Sequence, residues 1–111
     1  MKIINLTPHK ITIIGEDGTI QKVYEPSGQV ARATCSNSKL FELEGIPVVR
    51  SIFGEPVDLP EKTSGTYLIV SLATAKAAQE YGRETDDLLL TSNPVRNDQG
   101  AIIGCRGFAI L

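Results

Sequence analysis

"TYLIVSLATAKAAQEYG", residues 66 to 82, places the two clearest structural signals of the chain back to back. Thr66 to Val70 is a continuous, largely apolar run, the pattern of a strand buried on both faces. Ser71 then offers a side-chain oxygen to cap a helix. Leu72 to Tyr81 carries four alanines, the strongest helix formers, and predicts a helix over 72–81. Gly82 stands where a residue in left-handed backbone closes a helix. Ala73, Ala77 and Tyr81 recur at i, i+4 and i+8, so a small-residue face is expected to lie close against a sheet.

Everything around this unit reads as short strands and turns. Upstream, Ile3 to Leu6, Ile11 to Ile14, Thr19 to Tyr24 and Gln29 to Thr34 have strand character, with turns at Glu16-Asp17-Gly18 and Pro26-Ser27-Gly28. Leu40 to Glu44 and Ile46 to Phe53 read as a hairpin around Gly45, and Pro56 to Gly65 as a loop. Downstream, Asp87 to Thr91 is a strand. Asn97 to Gly100 is a four-residue hairpin loop between Val95-Arg96 and Ala101 to Ile103, and Gly107 to Leu111 closes on a strand. The expected fold is a single α+β domain over 1–111. It has a twisted, mainly antiparallel sheet or partly open β-barrel of short strands and one main helix.

Near the start, Thr7-Pro8-His9 interrupts two β-branched runs. Pro8 cannot donate to a sheet ladder, so the strand breaks or bends there. His9, the single histidine, either satisfies local backbone or is aimed off the sheet toward a ligand.

The net charge is −2, which gives no electrostatic footprint for nucleic acid. No apolar stretch approaches a membrane span, and the first residues have no signal-peptide core, so a cytoplasmic protein is expected. Cys35 and Cys105 read as two reduced thiols, Cys105 as a small buried hydrophobe. One histidine and two scattered cysteines form no metal-ligand spacing. No phosphate loop, nucleophile elbow or paired carboxylate appears, so no catalytic residue is assigned.

What remains is cationic and hydroxylic. The helix start at Ser71, with Thr74, reads as a simple cap or as an anion site. Arg83, Arg96 and Arg106, and Arg32 and Arg50 within strand patterns, call for carboxylate or phosphate partners. Those are structural partners such as Glu55, Asp86, Asp87 and Asp98, or a ligand. Arg96 and Arg106 flank the Asn97 to Gly100 loop and are expected at one end of a sheet, within reach of Ser71.

The segments "NLTPH" (5–9), "PSGQVAR" (26–32), "GIPVVRSIFGEPVDLPEKTSGTYLIVSLATAKAA" (45–78), "RETDDLL" (83–89) and "NPVRNDQGAIIGCRGF" (93–108) span most of the chain. In this order they resemble a family of small uncharacterised bacterial and phage proteins with an N-terminal Asn-Leu-Thr-Pro-His segment and a Gly-Cys-Arg-type ending. The resemblance brings no activity. It implies a bacterial host cytosol and directs attention to Asn5, Thr7, His9, Arg32, Ser71, Arg83, Arg96 and Arg106.

That set suits a nucleotide-derived or otherwise phosphorylated small molecule. By analogy of size and site chemistry, small phage proteins that sequester nucleotide immune signals, often as oligomers, are the nearest class. The expected protein is an anti-defence binder of this kind with Asn5, Thr7, His9, Ser71, Arg83, Arg96 and Arg106 as ligand contacts. It is expected to be a homo-oligomer and to use no cofactor. The alternatives are an enzyme with His9 as general acid/base, or an adaptor that blocks a host protein.

Overall fold

The structure, a computed structural model, describes residues 1–111. Eight strands and one helix follow in the order β1 (Lys2–Asn5), β2 (Ile11–Ile14), β3 (Ile20–Tyr24), β4 (Cys35–Leu43), β5 (Ile46–Phe53), β6 (Thr66–Ile69), α1 (Leu72–Glu80), β7 (Leu88–Arg96) and β8 (Ile102–Ala109). The fold is α+β, with short strands and one helix, as the sequence predicts. Six strands form one sheet in the order β1-β6-β7-β8-β2-β3, and β4-β5 is a separate hairpin.

The sheet is mixed, with antiparallel residue pairings in the majority. β1 runs parallel to β6, β6 to β7 and β8 to β2, while β2/β3, β7/β8 and β4/β5 are antiparallel. One parallel pairing, β6 with β7, arises from the helical unit. A strand–helix–strand passage returns β7 alongside β6 in the same direction, which a tight turn cannot do.

Leu68, Ile69 and Val70 are buried, as expected for an inner strand flanked on both sides. Ser71 Oγ accepts the Thr74 N–H, so the cap forms. Tyr81 is the C-cap rather than the last helical residue. Gly82 takes a φ of +80°, the Arg83 N–H reaches Ala78 O and the Gly82 N–H reaches Gln79 O. This is the double bond pattern of a Schellman close. The buried face is Thr74, Ala75, Ala77 and Ala78. Tyr81 lies outside it and is exposed, because the helix ends before bringing that position over the sheet.

The core gathers Leu6, Ala31, Leu68, Val70, Ala75, Ala78 and Leu88, with Ile4, Leu59 and Leu90 packed against them. Residues 29–34 contribute Ala31 but do not form the expected strand. Instead of a ladder they make single backbone bonds, Ala31 N–H to Leu6 O and an isolated Arg32–Val57 bridge. With partners on two different segments, the run crosses the end of the sheet instead of extending it.

β1 and β3 are opposite edges of the six-stranded sheet, yet they meet. The Asn5 side chain donates to Tyr24 O at the end of β3 (3.0 Å) and to His9 O (2.7 Å). Its Oδ1 accepts from the Thr7 N–H (2.9 Å) and the Thr7 hydroxyl (2.7 Å). Asn5 O accepts the Ser27 N–H. The sheet is therefore curled, and one buried amide, with its four hydrogen-bonding positions filled, draws its ends together. The Thr7-Pro8-His9 insert is the turn that aligns these partners, and five residues carry the chain from one edge, β1, to β2 on the far side.

Asn5→Ala should lower stability by about 2–3 kcal/mol, since it removes four hydrogen bonds and strands half-buried partners at Thr7 and Tyr24. Thermal unfolding followed by circular dichroism should show a midpoint at least about 10 °C lower. Asn5→Asp, which sets a carboxylate oxygen against the Tyr24 and His9 carbonyls, should be at least as destabilising as Asn5→Ala at neutral pH.

Candidate functional site

The expected ligand residues separate into four places. Asn5 and Thr7 are joined in the turn just described. The His9 backbone belongs to the same turn: its carbonyl accepts from Asn5 and its N–H donates to Thr7 Oγ1. The imidazole is exposed and makes no hydrogen bond.

Arg83 forms a paired contact with Asp87, Nη1 to Oδ1 at 2.8 Å and Nη2 to Oδ2 at 3.0 Å, and also donates to Glu84 O and Pro60 O. Asp87 is buried, so this guanidinium neutralises an interior carboxylate and ties the helix exit to the loop before β6. Beside it, Lys62 bridges Glu84 and Asp86. Asp86 and Glu84 raise the lysine above its ordinary value, and Lys62 holds the Asp86 carboxyl below the usual carboxylate range.

Arg96 donates to Gly100 O across its own hairpin, and Arg106 to Gly15 O. The expected approach of Arg96 to Ser71 does not occur, and Arg106 is engaged by Gly15 O. The Val70 N–H meets Leu89 O, and Arg96 lies seven residues further along β7, roughly 20 Å away. Gly104 beside Cys105 serves packing as well. A Cβ there would fall 2.7 Å from Thr12 O and 2.8 Å from the Ile14 side chain, so its bareness admits β2, not a ligand. Cys105 is buried.

Ser71 and Thr7 do come together. A groove of about 420 Å³ opens at the N-terminus of α1, with Thr7 and Pro8 on one side and Val30 to Ala33 on the other. Ser71, Ala73 and Thr74 line it as well. The N–H groups of Leu72 and Ala73 have no acceptor within the helix, and the first turn holds no acidic residue. The positive end of the helix is therefore uncompensated by its own sequence. Thr74 Oγ1 is bonded to Ser71 Oγ and donates to Ala31 O, which fixes the groove against the core.

Arg32 completes the lining. Its backbone is held by the bridge to Val57, 3.0 and 2.8 Å in the two directions. Its guanidinium, unlike those of Arg83, Arg96 and Arg106, is engaged by no carbonyl or carboxylate. The sequence marks it as an arginine within a strand pattern but does not place it here, because residues 29–34 read as one more strand and the turn at Thr7 lies more than twenty positions away. A second depression, of about 410 Å³, lies between β2 and the β7–β8 hairpin. Its lining is Lys10, Ile11, Thr12, Thr91, Pro94 and Ile102 to Cys105, with one cation and no helix terminus.

No helix of the structure is long and apolar enough to cross a membrane. Set against models of known protein families, characterised proteins and solved structures, the chain matches none.

The two roles of arginine predict opposite responses. Arg83→Ala leaves Asp87 buried without its cation and should cost about 3–5 kcal/mol. Arg96→Ala removes one exposed bond to a carbonyl and should cost less than about 1.5 kcal/mol. Urea unfolding of both variants measures the difference.

Proposed function

We propose that the protein binds an anionic, phosphorylated small molecule in the groove at the start of α1 and holds it without turning it over. The observation that carries this reading is the convergence of Arg32, whose guanidinium is unengaged, with the uncompensated N-terminus of the helix at one groove. A phosphate accepts from both kinds of donor, and a planar guanidinium offers it two parallel bonds. Pro8, Val30, Ala33 and Ala73 give the walls an apolar character suited to a sugar or base, and the volume lies in the range of small-molecule sites. A nucleotide-derived ligand satisfies both halves.

The ligand contacts in this reading are Arg32 and the first-turn backbone, with Thr7 and Ser71 shaping the groove walls while their hydroxyls hold Asn5 and Thr74. Asn5 supports them from behind, and Arg83, Arg96 and Arg106 act in the fold. Sequestration accords better with this site than catalysis does. The nucleophiles at its rim are hydroxyls engaged in capping, and the His9 imidazole has no partner to orient it as a base. The resemblance of its motifs to bacterial and phage proteins points to a host cytosol, where holding a nucleotide-type immune signal is the role that fits.

The test is a thermal-shift screen with inorganic phosphate, nucleoside monophosphates and cyclic dinucleotides. A ligand at a hundred times its Kd should add about 2.7 kcal/mol. Arg32→Ala should weaken binding by roughly ten- to a hundredfold and leave the midpoint of the free protein unchanged. Heat denaturation of the complex should release the ligand intact. An altered ligand would instead make the protein an enzyme, and no shift with any probe would favour the adaptor reading.

A further inference from the structure

Arg50 is the second arginine without a partner, and it sits where the chain departs furthest from a compact shape. No ladder joins the β4–β5 hairpin to the six-stranded sheet. Its base is fastened by the Gly54 N–H to Thr34 O and by the Arg32–Val57 bridge, and beyond these it projects as an arm. The radius of gyration is 16.6 Å, against about 13 Å for a compact chain of this length.

The arm exposes more apolar surface than its isolation explains, most of it on one face. The Glu44-Gly45 tip has positive φ at both residues, 53° and 79°, the turn that suits a tight hairpin. From the pairings Leu43↔Ile46 and Phe41↔Val48, these four side chains share one face, and Ile52 follows on the same face beyond Arg50. Phe41, Leu43, Ile46 and Ile52 are 51, 59, 63 and 50% exposed. The opposite face is mixed: it carries Glu42, Lys39 and Ser51, with Lys39 and Glu42 paired to each other, beside Pro47, Val49 and Phe53. A two-stranded hairpin alone in water is marginal at best. An apolar patch of a few hundred Å² on a projecting element marks a contact surface.

We propose that this face docks on the same face of a second copy, the two arms lying antiparallel about a two-fold axis near the Phe41–Val48 pair. Charge decides for a second copy over another partner. Glu44 at the tip and Arg50 along the arm have no salt bridge or hydrogen bond within the chain. An antiparallel two-fold sets Glu44 of each copy level with the partner's Arg50, so one operation covers the apolar face and pairs both charges twice. Charge pairs at both ends of an apolar centre match the polar rim of a specific interface. Two facing patches with their rims reach about 1,000 Å² in total, the lower bound for a specific interface.

The test is sedimentation equilibrium of the full chain at micromolar concentration. The expected mass is that of two chains. Phe41→Asp with Ile46→Asp should give a monomer with an unchanged thermal midpoint, since the arm stands outside the core. Arg50→Glu or Glu44→Arg should each weaken the dimer about tenfold, and the two together should restore it. Should the aspartate variant lower the midpoint, the two charge variants still decide. A monomeric parent chain overturns the proposal, as does a monomer that binds lipid vesicles or only a different protein. A dimer insensitive to all these changes, or a charge swap without recovery, overturns it equally.

Discussion

The Asn5 carboxamide joins the first strand of the curled sheet to the last. Without it, β1 and β3 are two exposed edges separated by four intervening strands. With it, one side chain satisfies Tyr24 and His9 as a donor and Thr7 twice as an acceptor. A buried amide is costly unless all its positions are used, and that requirement makes the closure specific. An aliphatic residue of similar size would fill the space but select no partner. The turn at Thr7-Pro8-His9 is shaped by the same constraint, because the Thr7 and His9 groups must converge on one side chain.

The groove depends on that closure. Leu6, which follows the latch directly, accepts the Ala31 N–H, and this bond draws residues 29–33 over the end of the sheet. Thr7 and Pro8 form one wall and Val30 to Ala33 the other, with the first turn of α1 between them. The Arg32–Val57 bridge belongs to two structures at once: it is part of the groove and the foot of the projecting hairpin. The two arginines that the fold leaves unengaged, Arg32 and Arg50, thus lie on either side of one backbone junction. One faces a concave polar site and the other an exposed apolar face.

Much of the fold is legible in the sequence, because local rules govern it. The apolar run at 66–70, the alanines after Ser71 and the positive-φ positions at Gly82 and Gly45 each dictate their own structure. The parallel pairings are less visible, since they depend on where a connection returns and not on any residue's preference. Residues 29–34 mislead because their strand-like composition serves a crossing segment with scattered partners. The arginines mislead for a different reason. Sequence shows a cation and the carboxylates near it, but Arg96 and Arg106 are satisfied by backbone carbonyls, which every residue carries. Arg83 alone finds one of the expected carboxylates, Asp87, four positions on. The hairpin around Gly45 is plain from its turn, while its separation from the sheet is a tertiary fact without a local signature.

Closure by Asn5 is most directly tested by native-state hydrogen exchange, residue by residue. The Thr7, Ser27 and Ala31 amides all depend on the latch, although each lies in a turn or irregular segment where rapid exchange is the rule. If the curled sheet is held shut as described, these three should exchange only through global unfolding, at the same free energy as Leu68 and Val70 in the core. If instead they exchange as fast as the exposed turn amides of Gly18 and Gly100 while Leu68 and Val70 remain protected, the sheet opens freely at that seam and the account is wrong.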